Sequence, residues 1–460
     1  MALCKNCGAK LHRGAKFCSE CGAAVGSQDT AITLPKGVYK KELEILPHTT
    51  ISGSGFSCET DTLADLQSIV VVPEGKSIVI NDEATIEGVI FVGKAFYDEH
   101  KGNLLSELNA DAQVAFAEQL ATADRDWEAL CEFSEQNESD ALLRILSDNV
   151  KLKKVCVIGS PASGIYVGGK AEFSCVSVLQ STASNLVVDS AAEVYFTPLT
   201  EDGESTNNFA CSLKGHGIVC KGNMNLSGDE QKKNIRICAN YNMLQGIRLS
   251  GGMNTQLEKA GIVECAGNLG TGLGMYAESV ANIHLLSIHK NKSTGILLND
   301  TSKLCAEEIS AEENKNGIYL QDAASLEGSD ISSYKNSECG LVLIETSTLK
   351  ADFVTVYENS SNGLELQEQT SAEIKGFEAF ENHCALVMEE NAVLTITGKD
   401  IFEASQIHEN EAGTVELHDN AKATFNSVQF SSERRYTLKT ARSINSIMTH
   451  LPSMSLILLR

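Results

Sequence analysis

No apolar run in the chain approaches the length of a membrane span, which excludes a transmembrane helix. The amino terminus, beginning Met1-Ala-Leu-Cys-Lys5, has neither the apolar stretch nor the small-residue cleavage site of a secretory signal. Positive charge is short: 37 Lys and Arg stand against 61 Asp and Glu, a net charge of −24 that repels phosphate backbones and excludes the bulk of the protein as a nucleic-acid surface. There is no phosphate-cradling GxxxxGK[ST], no GxSxG elbow and no HExxH pair. Proline is scarce at 6 residues, and aromatics make up 6% of the chain. What is present is 42% apolar residues in 460, enough for a large core and too much for a disordered polyanion. Of 15 cysteines, four cluster at the amino terminus and eleven are scattered singly. An odd, dispersed set fits reduced thiols in a cytoplasm better than a disulfide scaffold.

The strongest local signal is Cys4, Cys7, Cys18 and Cys21, spaced C-x2-C-x10-C-x2-C. Each CxxCG turn offers two thiolates to one ion, Gly8 and Gly22 relieve the backbone behind each knuckle, and four sulfurs close a tetrahedron around one structural Zn2+. With four thiolates no coordination position is left to activate water. The segment, with Gly14-Ala15-Lys16-Phe17 between its knuckles, resembles the short zinc ribbons at the start of many bacterial proteins. Residues 1–26 carry about +3, too little to assign a nucleic-acid or protein contact to them.

Farther on, the chain repeats. Glycines 295, 317, 340 and 363 each open a similar segment, at spacings of 22, 23 and 23 residues. The same start is found at Gly164, Asn185, Gly217, Gly246, Gly272, Ala385 and Gly413, predicting about eleven turns. Within a copy the apolar residues alternate: Ile296/Leu298, Ile318/Leu320, Leu341/Leu343, Leu364/Leu366 and Leu386/Met388 follow the start. A second apolar position comes about nine residues on (Leu304, Leu326, Leu349, Ala372, Leu394) and a third about fourteen on (Ile309, Ile331, Val354, Phe377). Period two in three short runs describes a coil of three strands per turn stacked on itself. Asn268, Asn291, Asn314, Asn336, Asn359, Asn382 and Asn410 precede the starts, where asparagine tolerates left-handed turns and stacked copies can hydrogen-bond along the coil. The pattern resembles the right-handed parallel β-helix of the pectin-lyase-like superfamily, over residues 150–431, with Cys220, Cys265, Cys305, Cys339 and Cys384 expected as small fillers of its core and turns.

The remainder divides by composition. Residues 27–34 read as a linker, and 35–97 as a β-rich segment or the first turns of the same coil. Residues 98–149 carry 13 acids and 3 bases. Their apolar residues recur at helical spacing (Leu104, Leu108, Phe116, Leu120, Trp127, Leu130), and Ser139 is placed to cap a further helix over 141–146. This helical insert is expected to cover an end or side of the coil, with a partner-docking helix as the sharper alternative. Residues 432–460 hold five bases and one acid and end in Leu456-Ile-Leu-Leu459. They suit a cap, a surface anchor too short to span a membrane, or a shifted reading frame.

One fragment invites an enzymatic reading. Gly215-His216-Gly217 followed by Arg248 resembles the Gly-His-Gly and Arg-x-Lys signatures of polygalacturonase-type glycosidases, in which the histidine supports catalysis and the basic pair holds the substrate carboxylate. Here Ser250 stands in place of the lysine, and the paired-carboxylate motifs that such hydrolysis needs are missing, leaving Glu201 and Asp202 as the nearest candidates. The sequence therefore predicts a non-catalytic, cytoplasmic, protein-binding scaffold: an all-β, right-handed parallel β-helix with a zinc ribbon and a small α-helical insert. The alternative is a polysaccharide hydrolase or lyase, which would gather His216, Arg248 and two carboxylates in one groove.

Overall fold

The computed structural model describes residues 30–54, 68–100, 113–115, 118–119, 125–199, 205–226, 235–251, 256–398, 405–411 and 413–430, with the pairs 20–21, 438–439 and 458–459. Its strands pair in parallel throughout and stack in chain order, as a right-handed β-helix requires. Thirteen short strands form one sheet, from Ile78–Ile80 through Ala141–Ile145 to Gly413–Leu417, here called the front sheet. Eleven of them begin at or beside the repeat starts read from the sequence. The two extra strands, Ile78–Ile80 and Ala141–Ile145, lie earlier and are in register with each other, Ile78 opposite Leu143. The described strands of 35–97 thus belong to the coil, which already starts in the expected linker with Thr30–Thr33 paired to Thr49–Ser52.

A single turn shows how the sequence makes the shape. Ile318–Leu320 lies in the front sheet with Ile318 and Leu320 fully buried. Asp322 then takes a left-handed conformation at φ 56° and turns the chain into Ser325–Tyr334. That strand pairs with its neighbours at every residue but Ser329, where it bends round a corner, so one long strand supplies two sides of the coil. Lys335, at φ 54°, turns the chain back towards the front sheet. The second and third apolar positions of each copy are buried as the repeat predicts, Leu326 and Ile331 among them.

The turn after each long strand carries an amide ladder. Asn242, Asn268, Asn291, Asn314, Asn336, Asn359, Asn382 and Asn410 are all buried. Each of the first seven donates its backbone N–H to the Oδ1 of the next at 2.8–3.2 Å, and its Nδ2 to the same oxygen at 2.9–3.4 Å. The other amide hydrogen goes to a main-chain carbonyl, as in Asn359 Nδ2 to Ser333 O at 3.0 Å. In the earlier turns Ser160, Ser181 and Ser212 hold the equivalent place, and Asn185, at the repeat-start position, reaches Asn242 Oδ1 at 3.1 Å. The repeat-start glycines are explained by this ladder and not by left-handed geometry: a Cβ on Gly340 would lie 2.6 Å from Gly363 O and 2.9 Å from Asn359 Nδ2. A side chain there has no room.

The insert corrects the expectation for residues 98–149. Its first helix, α1 (Lys94–His100), starts before residue 98, and its last, α2 (Trp127–Gln136), ends well before Ser139. Ala141–Ile145 is a strand of the front sheet, not a helix capped by Ser139, because Leu143 and Ile145 point into the core while Arg144 points out. Asp126 caps α2, accepting the Ala129 N–H at 3.1 Å. The two helices lie on either side of the ladder corner. Phe96 and Tyr97 of α1 pack on Val92, Ile158, Leu179 and Ala210 before it, and Leu130 and Cys131 of α2 pack on Met243, Leu244 and Leu269 after it. The insert therefore covers a side of the coil, not an end.

Beyond residue 431, where the sequence pattern stops, Leu438–Lys439 lies beside Gly413–Leu417 and pairs in parallel with Leu458–Leu459. On the outer side, Tyr334, Tyr357, Phe380 and His408 stack with ring centroids 4.6, 4.9 and 5.2 Å apart, one ring per turn.

Candidate functional site

His216 and Arg248 are brought together on adjacent turns, His216 buried and Arg248 half-buried. His216 precedes the front strand Ile218–Cys220, and Arg248 sits on the next strand, Ile247–Gly251, opposite Val219. The His216 ring is 3% exposed. Its Nδ1 accepts the Gln245 N–H at 3.2 Å, and the backbone N–H of His216 donates to Ser184 Oγ at 3.2 Å. Burial first, and Arg248 second, push its pKa down to about 3, so the imidazole is neutral and acts as a fixed acceptor within a turn. The guanidinium of Arg248 reaches Glu135 Oε1 at 3.5 Å and lies 5.3 Å from the centroid of the Tyr276 ring.

Glu201 and Asp202, the carboxylates nominated beside His216, lie outside the described residues. Those the structure does place nearby come from elements the repeat does not reveal. Glu135 belongs to α2, Glu138 follows it and pairs with Lys221, and Asp189 accepts the Tyr166 hydroxyl. That hydrogen bond holds the Asp189 carboxyl below its usual range, while burial and the same contact raise Tyr166 to about 12. Each of these three acids is thus tied to a donor, and Asp189 is held as a carboxylate, not as the protonated form a general acid needs. The sequence signal that marks this face is the pairing of acids in 132–140 with the bases Lys214, Lys221 and Arg248, and it is visible only once the insert is seen to fold back.

The seat of α2 is shallow. Lys214 Nζ lies 4.8 Å from the centroid of the Phe133 ring, Ser134 Oγ meets Ser184 Oγ at 3.1 Å, and Ser134 is the only fully buried side chain of the helix. Trp127 at its first turn is 46% exposed. Two partly exposed ion pairs contribute about 0–1 kcal/mol each and the Lys–Phe contact about 0.5–1. With a small apolar patch this holds the helix by a few kcal/mol, roughly the scale of local opening and not of global unfolding. Arg248→Ala should leave the unfolding midpoint almost unchanged yet speed amide exchange over 127–136 by about two- to fivefold, measured by hydrogen exchange with mass spectrometry. Equal exchange in both proteins would mean that the ion pair does not hold the helix.

Of the proposed zinc ligands, Cys4, Cys7 and Cys18 lie outside the described residues, and Cys21 stands exposed in a turn. Four thiolates in two CxxCG knuckles are a donor set that suits zinc. Among the described residues no group of three or more His, Cys, Asp or Glu is placed to hold a metal. Cys220 and Cys265 fill the core, Cys339 and Cys384 are buried near turns, and Cys305 departs from the expected filler role by facing outward. Burial pushes the Cys220 thiol up to about 12, so it is inert.

Comparison with known families agrees with this division. Residues 3–25 match the family model of a zinc-ribbon domain, and residues 216–379 match that of a right handed beta helix region. No curated protein and no solved structure matches the chain. No described helix is long and apolar enough to cross a membrane.

Proposed function

We propose that the protein is a non-catalytic, cytoplasmic protein-interaction scaffold, in which the β-helix presents side chains in columns and one structural Zn2+, held by Cys4, Cys7, Cys18 and Cys21, folds the amino-terminal ribbon. The observation that carries this reading is the state of His216: buried, neutral and committed to hydrogen bonding within its turn, its Nδ1 accepting the Gln245 N–H. A hydrolase built on the same fold needs that histidine beside a free acid and base, and here Arg248 is already engaged by Glu135. A solenoid suits binding by many weak contacts spread along its faces. Eleven of the 15 cysteines are scattered singly along the sequence, which favours reduced thiols and supports a reducing compartment.

The test is affinity capture from a bacterial lysate, with zinc quantified by elemental analysis of the same sample. The expected result is one zinc per chain and a reproducible partner. Cys4→Ser with Cys7→Ser should abolish the zinc while the β-sheet circular dichroism survives, and replacing residues 101–138 by a short flexible linker, which spares the front-sheet strand Ala141–Ile145, should release the partner if the insert is its docking element. A panel of polygalacturonate and other glycans should yield no reducing ends. Release of reducing ends that disappears in His216→Ala would overturn the scaffold in favour of the polysaccharide hydrolase or lyase.

A further inference from the structure

In a chain with 61 acids and 37 bases, the front face near the ladder corner is unusual in gathering Lys214, Lys221 and Arg248 within adjacent turns of the coil. What sits on them is an acidic helix. Glu135 meets Arg248, Glu138 meets Lys221, Phe133 covers Lys214, and the small Ser134 lets the helix approach Ser184. Each base is matched by a group from one short stretch, residues 133–138, and that stretch is attached by surface contacts that leave most of the helix exposed. Farther along the same face the Nε of Arg144 is buried with no acceptor. A covering element longer than α2, with one more acid, would satisfy it.

We propose that this cationic face is a docking site for an acidic, amphipathic helix of a partner protein, and that α2 is its resident occupant in cis, displaced when the partner binds. The inference rests on the scaffold reading and gives it a partner chemistry: an aromatic, then a small residue, then carboxylates at i+1 and i+4 from it, matching Phe133, Ser134, Glu135 and Glu138. The positions fix the recognition. Arg248 lies opposite Val219, and Lys221 follows two residues on, just past the end of that neighbouring strand; with strands about 4.8 Å apart the two bases are within reach of carboxylates three residues apart on a helix.

A fluorescent synthetic peptide of residues 125–140, titrated against the full-length protein, tests this. Two variants loosen the resident helix by different routes: Glu135→Ala with Glu138→Ala removes its ion pairs, and Ser134→Arg forces its one buried contact apart. Both should bind the peptide at least tenfold tighter than the wild type, with affinity falling as salt is raised. Adding Lys221→Ala and Arg248→Ala to either should abolish the gain. Absence of tighter binding in both loosened proteins, or binding indifferent to Lys221 and Arg248, overturns the proposal. Lysate capture with the same proteins separates the two ideas. A partner retained after Lys221 and Arg248 are removed leaves the scaffold standing and sinks this site, whereas loss of every partner from the wild type sinks the scaffold itself.

Discussion

Asn359→Ala is expected to lower the stability of the β-helix by about 4 kcal/mol. The side chain is 2% exposed and serves four hydrogen bonds. Its Oδ1 accepts the Asn336 N–H at 3.1 Å and Asn336 Nδ2 at 2.9 Å, and its Nδ2 donates to Ser333 O at 3.0 Å and Asn382 Oδ1 at 2.9 Å. Truncation leaves three buried groups without a partner: the Asn336 N–H, one Asn336 amide hydrogen and the Ser333 carbonyl. Each costs roughly 1–3 kcal/mol, partly relieved if water enters. Asn391 is the control, since it is exposed and its only side-chain contact is a 3.4 Å bond from Asn420; Asn391→Ala should change stability by less than about 0.5 kcal/mol. Because neighbouring turns are coupled only to each other, breaking one rung in the middle should also split urea unfolding into two transitions, one for each flank. Equal stabilities for the two variants would show that the ladder carries no load.

The second large effect is a loss of stability in acid that depends on one residue. His216 has a folded-state pKa of about 3 against an ordinary 6.5, so below pH 6.5 the unfolded chain takes up a proton that the folded chain refuses. The stability this residue contributes is complete above pH 6.5 and is lost as pH falls towards 3. The slope is about 1.4 kcal/mol per pH unit, close to 3 kcal/mol by pH 4.5 and roughly 5 at the limit. His216→Asn removes the titration while offering Gln245 an amide oxygen in place of Nδ1. The expected outcome is that the stability difference between wild type and variant shrinks steadily from pH 6.5 to 4.5, read from urea midpoints at each pH, with every other titrating group common to both. An imidazole resonance that titrates near pH 6.5 in the folded protein would disprove the buried, neutral state.

These effects also mark what a linear sequence discloses. The coil itself was legible because its period is local: a glycine start, two alternating apolar residues and a preceding asparagine recur within 22 or 23 residues. The first turns were harder to see, since Ile78–Ile80 and Ala141–Ile145 have no glycine start and are separated by the insert. Ala141-Leu142-Leu143 is buried throughout, so its apolar run fits a helix and a doubly covered strand equally well, and only pairing with Ile78–Ile80 decides. The seat of α2 on Lys214, Lys221 and Arg248 joins residues about 80–110 positions apart, which periodicity cannot report. Nor does propensity announce that Glu358, Glu381 and Glu409 adopt positive φ; the turn before each asparagine imposes it. Of the proposed zinc site, only the spacing of the four cysteines bears on the question.

The amide ladder has a direction. From Asn242 to Asn382 every asparagine sends its N–H and one amide hydrogen to the next turn, towards the carboxyl-terminal end, while its Oδ1, where it is Asn268 or later, faces the turn before. The second amide hydrogen points the other way, to a main-chain carbonyl of the preceding turn, so each rung clamps three successive turns at once. One residue per turn thus writes a single sense of travel along this stretch of the coil, and a rung can be skipped or reversed only by leaving buried amide groups unpaired.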